Sequence, residues 1–188
     1  MNQTSRAPDR ESTFRALYEE VYPDLLRFVQ RRASLACAED LVADAFLVVW
    51  RRLDELPASR DDARAWTYGI ARHLLLNSQR AQQRRNALGV RLADVATSPV
   101  ADADTDGVVS RVDVARAWPR LSEAHQEALA LVAFEDLSAA QASAVIGISP
   151  GAFRLRLSRA RRALRLHLDH LPKRAIRPLA ITEGAATP

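Results

Sequence analysis

Residues 137–161 read LSAAQASAVIGISPGAFRLRLSRAR, and this stretch decides the fold. Ser138 followed three residues later by Gln141 is a capping box, in which each side chain satisfies a free amide at a helix start. Ala142, Val145 and Ile146 then form an apolar face at helical spacing. Gly147 supplies a tight turn, and Ile148 plugs the joint behind it. Ser149 is a second N-cap, with Pro150 at the first helical position, where a missing N–H costs nothing. Phe153, Leu157, Ala160 and Leu164 give the second helix its buried stripe. A short capped helix, a glycine turn and a second capped helix make a helix-turn-helix.

The second helix carries Arg154, Arg156, Arg159, Arg161, Arg162 and Arg165 on its exposed positions. Arg154, Ser158, Arg161 and Arg165 are spaced four, three and four apart and share one face. Arginine grips guanine O6 and N7 bidentately, or a phosphate, and small residues at the helix start let it enter the major groove. An arginine-rich solvated helix has the same spacing; the complete turn chemistry favours DNA binding over it.

Outward from this motif, nearly every periodic stretch is helical. Thr13–Arg32 places Phe14, Leu17, Tyr18, Val21, Leu25, Phe28 and Val29 at spacings of three and four, with Pro23 at a helix start or kink. Ala38–Leu53 sets Val42, Phe46, Val49 and Leu53 on one stripe, and Leu56-Pro57 ends it. Asp61 and Asp62 precede a third helix, expected over about Ala63–Arg84, with Trp66, Ile70, Leu74 and Leu75 as its apolar positions. From Asn86 to Ser110 the pattern dissolves into a Ser-Pro, Gly and Asp-rich stretch. It returns at Val112, Ala115 and Trp118, is broken by Pro119, and continues through Glu123–Phe134 to about His170. The predicted fold class is all-α: two small helical domains, 12–86 and 111–171, joined by a flexible acidic linker, 87–110, and followed by a loosely ordered tail, 172–188.

Charge follows this division. The chain has 188 residues and a formal charge of +4, and Lys173 is its one lysine beside 26 arginines. Residues 60–92 carry net +5 and residues 150–188 net +7, while residues 93–113 carry net −4. Two basic blocks around an acidic segment suit phosphate backbones, although solvated helix faces also give such blocks. The longest apolar run, Ala128–Phe134, has seven residues, against the ~20 a membrane span needs, so no membrane insertion is expected. The polar start at Met1–Arg10 lacks the apolar core of a signal peptide, which points to the cytoplasm.

Three stretches together resemble a bacterial sigma factor of the extracytoplasmic function type, the minimal two-domain members of the sigma-70 family. AEDLVADAFLVVW at 38–50 resembles the sigma domain 2 helix that docks on the clamp helices of the RNA polymerase β′ subunit. RAWTYGIARHLLLNSQR at 64–80 resembles the segment that melts and reads the −10 element. The helix-turn-helix resembles sigma domain 4, which reads the −35 element. The likeness covers most of residues 12–170.

The resemblance implies residue roles. Asp40, Ala43, Asp44 and Leu47 would meet core polymerase, Ala43 standing where the family commonly has glutamine. An amphipathic core helix with an acidic outer face has the same spacing. Promoter opening holds an unstacked base in a pocket and grips the strand electrostatically. The loop Pro57–Asp62 would form that pocket. Arg64, Trp66, Arg72, His73, Asn77, Arg80 and Arg84 would serve the −10 element, with Tyr68 as a second aromatic and Arg85 on phosphates; Trp66 equally suits the core. The family usually has asparagine where His73 stands and often a basic residue where Gly69 stands. Ser149, Pro150, Gly151, Arg154, Leu155, Arg156, Ser158, Arg159 and Arg162 would serve the −35 element. The acidic linker would thread the polymerase RNA exit path. The implied partners are core RNA polymerase, through its β′ clamp helices and β flap, promoter DNA, and an anti-sigma factor. No cofactor is expected.

Other constellations are weaker. Asp102–Asp113 imitates a calcium-binding EF-hand loop, but ends in Asp rather than Glu and lacks an entering helix, so an acidic linker is preferred. His167 and His170 lack further zinc ligands nearby. His125 suits a helix surface. Cys37 is a single thiol with no His/Asp arrangement to activate it. No phosphate-cradling glycine loop and no convincing catalytic carboxylate pair stands in the chain, so an enzyme is not expected. The alternatives are a stand-alone helix-turn-helix regulator, acting as a dimer, and a helical module whose basic helices bind acidic proteins.

Overall fold

The computed structural model describes residues 6–87 and 108–170. Among them stand seven α-helices and no strand: α1 (Arg6–Gln30), α2 (Leu35–Arg51), α3 (Arg60–Ala87), α4 (Val108–Ala117), α5 (Glu123–Ala133), α6 (Ala139–Ile146) and α7 (Pro150–Asp169). Short 3₁₀ turns follow α2 at Leu53–Glu55 and α4 at Trp118–Arg120. The expected all-α class stands. Of the expected linker, residues 88–107 lie outside the described residues, as do the tail after 170 and the first half of the candidate calcium loop, residues 102–107. The ends of 87–110 are helical, since α3 runs to Ala87 and α4 starts at Val108.

Helices α1, α2 and α3 pack on one another through the periodic positions. Val21, Leu25, Phe28 and Val29 of α1 meet Val42, Phe46 and Val49 of α2, all buried. Pro23 lies inside α1 without ending it. It is exposed, so the acceptor it leaves unpaired can take water. Helix α3 begins at Arg60, ahead of the expected Ala63. Asp61 and Asp62 therefore sit in its first turn, where carboxylates suit the positive helix end.

The core side of α3 corrects the sequence reading. Tyr68 is fully buried, edge-on to Phe28 with ring centroids 5.0 Å apart. Trp66 packs against the core but is only half-buried, with the Arg52 guanidinium 5.6 Å from its ring centroid. Burial, and then the negative charge of Glu135, push the Tyr68 phenol up to about 12. The fold thus favours the neutral phenol. Its contribution is complete below the unfolded value near 10 and is lost as pH rises toward 12. An ultraviolet titration should show one tyrosine ionising last, together with loss of helical signal; ionisation of all tyrosines with helicity intact would contradict this.

Helices α4–α7 form the second group, with α7 packed against α4, α5 and α6. Both helix starts of the motif are capped as read. Gln141 N–H donates to Ser138 Oγ at 3.3 Å, and Ser138 N–H donates to Gln141 Oε1 at 2.9 Å. Gly147 adopts φ +78°, the left-handed conformation that ends α6. Ala152 N–H donates to Ser149 Oγ at 3.2 Å at the start of α7. Phe153, Leu157 and Ala160 are buried and Leu164 is half-buried.

The two groups share one continuous apolar cluster, and among the described residues the most extensive helix–helix packing is between α3 and α6.

Candidate nucleic-acid interface

On α2 the buried stripe turns Asp40, Ala43, Asp44 and Leu47 outward, all four exposed. Beside them lies an aromatic cluster that the linear pattern did not single out. Phe14, Tyr18 and Tyr22 of α1 pack around Phe46, and Phe14 meets Trp50 edge-on at 5.2 Å. Tyr18, Leu47 and Trp50 remain exposed, so the acidic face of α2 borders apolar surface. The signal was present as helical spacing, but period alone does not say which aromatics a neighbour covers.

The basic positions of α3 divide into two sets. Arg64 belongs to the scaffold: its guanidinium sits 3.5 Å from Asp24 Oδ2 and 5.1 Å from the Tyr68 ring centroid, and Arg64 is half-buried. The other set faces α6. Trp66, Gly69, Arg72, His73 and Arg80 line a groove with Pro57 and Asp62 on one side and Ala140, Gln141, Ala144 and Gly147 on the other. Of the expected pocket loop, Arg60–Asp62 is helical, leaving Pro57–Ser59 as loop. His73 is exposed, and Asn77 and Arg84 lie exposed further along α3. Arg85 donates to Gln82 Oε1 at 2.7 Å.

Arg72 is engaged by the second group. Its Nε and Nη2 donate to the two carboxylate oxygens of Glu127 at 2.6 and 3.1 Å. Arg31 and Arg32, at the end of α1, meet Glu135 at 2.6 and 3.5 Å. Burial lowers the Arg32 pKa, against the raising effect of Glu135. Neither Glu127 nor Glu135 was singled out in the sequence, because each finds its partner far along the chain.

On α7, Ser149, Pro150, Gly151, Arg154, Leu155, Ser158, Arg159 and Arg162 are exposed together around the helix start and its outer face. Arg161 and Arg165 are exposed as well. Arg156 departs from the expected exposed set. It is half-buried and lines the cleft between the two helical groups, among residues that include Trp118 and Phe134.

Sigma-70 region 2 matches residues 17–85, and Sigma-70 region 4 matches residues 111–164. The ECF RNA polymerase sigma factor SigL of Mycobacterium tuberculosis is 30% identical over 158 residues, covering 84% of this chain and 89% of SigL. The chain belongs to the extracytoplasmic function sigma factors. The sigma factor CnrH of Cupriavidus metallidurans is 29% identical over 140 residues, covering 70% of this sigma factor and 73% of CnrH. Among solved structures, the sigma factor RpoE of Bartonella quintana, in complex with the anti-sigma factor NepR, matches 85% of this chain and 99% of its own. It does so at 28% identity with a TM-score of 0.64. The match to region 2 spans α2 and the groove face of α3, and the match to region 4 spans the helix-turn-helix. Among the described residues, no helix is long and apolar enough to cross a membrane.

Proposed function

We propose that this sigma factor binds core RNA polymerase through the outer face of α2, reads the −35 element with α7 and opens the −10 region with the groove face of α3. The observation that carries this is the pairing of region 2 and region 4 with two surfaces of fitting chemistry. One is the exposed acidic and apolar face of α2, suited to the basic surface of a protein partner such as the β′ clamp helices. The other is the arginine face of α7, presented by a capped helix whose first residues are small. Region 4 would also meet the β flap. The protein does no chemistry itself; RNA synthesis belongs to the polymerase, in the cytoplasm. An anti-sigma factor, as bound by the structural neighbour, is a third partner.

The −10 set on this reading is Trp66, His73, Asn77, Arg80 and Arg84, joined by Arg72 once Glu127 lets it go. Arg64 leaves the set because it braces α1. Domain limits follow the packing groups, α1–α3 and α4–α7.

Reconstituted transcription tests this. Purified protein added to core polymerase should yield a transcript from a promoter with suitable −35 and −10 elements. Failure to bind core polymerase at low salt would overturn it, and tight operator binding by the free protein would favour a stand-alone regulator. Arg154→Ala should weaken −35-dependent promoter binding by about 1–3 kcal/mol, because one bidentate base contact is worth that much. Equal binding to promoters with matched and scrambled −35 elements would remove Arg154 from base reading.

A further inference from the structure

We propose that Leu155 is a specificity-determining residue that reads a thymine of the −35 element by packing on its 5-methyl group. This rests on the reading of α7 as the −35 helix given above.

The starting observation is that Leu155 is 53% exposed, whereas Leu157 and Leu164 of the same helix are buried or half-buried. A single exposed leucine is ordinary on a protein surface, so exposure alone assigns nothing. Its place on the helix does. Leu155 lies in the second turn of α7, whose start at Pro150 is fixed by the Ser149 cap. The N-terminal turns are the part of a helix-turn-helix recognition helix that reaches base edges.

The neighbours of Leu155 on that face are small. Gly151 and Ala152 stand one turn before it and Ser158 one turn after, all exposed. Gly151 is not required by packing, since a Cβ built there meets nothing within 4 Å. What it contributes is a face without bulk, over which the helix can approach a groove floor closely. Leu155 then projects beyond its neighbours as the apolar tip.

The surrounding charge decides the kind of partner. Arg154, Arg159 and Arg162 are exposed beside Leu155, and no acidic residue occurs from 149 to 168. A basic rim around an apolar tip matches the major groove, which has phosphates on its walls. The thymine methyl is the apolar group that base pairs present on its floor. Leu166 supplies an internal comparison. It is 49% exposed and lies eleven residues further on, ~16.5 Å along the axis, past the turns that enter a groove.

The test uses core polymerase reconstituted with the full-length chain, on promoters randomised across the −35 element. Wild type should enrich a thymine at one position or more, and Leu155→Ser should lose that enrichment while preferences at other positions remain. Replacing that thymine with deoxyuridine removes the methyl and keeps the base pair. It should weaken promoter binding by wild type about fourfold, the effect of leaving one methyl-sized group unburied. This comparison needs no variant to fold. Leu155→Ser should bind the two promoters equally, Leu155→Met should recover part of the discrimination, and Leu166→Ala should discriminate as wild type does. Equal binding of both promoters by wild type, or discrimination that survives in Leu155→Ser, would overturn the proposal. So would weaker competition by Leu155→Ser for core polymerase with its thymine preference intact, which would make Leu155 a protein contact. If wild type enriches no base anywhere in the −35 element, the reading of α7 itself fails and the role of Leu155 with it.

Discussion

Phe153→Ala should dismantle the helix-turn-helix and leave the N-terminal helices folded. Phe153 is fully buried at the first turn of α7 and belongs to the stripe that seats this helix on α5 and α6. Removing a buried phenylalanine side chain costs about 3–5 kcal/mol, as lost transfer energy and as a cavity that neighbours fill only in part. A unit of some sixty residues has roughly 3–9 kcal/mol in total, at ~0.05–0.15 kcal/mol per residue. The substitution therefore consumes most of its stability. Hydrogen exchange should show lost protection across 139–169, while α1 and α2 around Phe28 and Val42 remain protected. Core polymerase binding should persist and −35-dependent promoter binding should vanish. Protection unchanged in α6 and α7 would mean that other residues hold the motif together.

The second large effect is expected at α2. Asp40→Arg with Asp44→Arg places positive charge where the proposed interface supplies negative charge, and like charges brought together across an interface cost several kcal/mol. At 1.4 kcal/mol per tenfold, affinity for core polymerase should fall by about 100-fold or more. Both positions are exposed, and surface changes of this kind usually alter stability by no more than ~0.5 kcal/mol each, so folding is not the cause of the loss. Competition against wild type for a limiting amount of core polymerase measures it. Undiminished competition would show that another surface docks.

What the sequence disclosed divides by range of interaction. The capping box at Ser138, the left-handed Gly147, the cap at Ser149 and the buried positions Phe153, Leu157 and Ala160 were all legible, because each acts within a turn or two of its own residue. The face of α2 was legible for the same reason. Tyr68 was not assigned correctly, since it suits either face of an apolar helix and only the position of Phe28 shows that it is covered. Arg64, expected at the −10 element, is paired with Asp24, 40 residues earlier in the chain. Arg72 meets Glu127 across 55 residues, and Arg31 meets Glu135 across 104. Such pairings leave no periodic trace. The start of α3 fell three residues earlier than expected because Asp61 and Asp62, taken as a boundary, are favourable inside a first turn.

The construction of α7 has a further consequence. Its backbone is fixed by Ser149, Pro150 and the glycine turn, and its seating by Phe153, Leu157 and Ala160. The side chains proposed to face the promoter take no part in either task. Arg154, Ser158, Arg159 and Arg162 can therefore be rewritten at little thermodynamic cost, as letters on a rigid frame. A duplicated copy of such a chain could drift to a new set of promoters by surface substitutions alone, and its fold would not register the change.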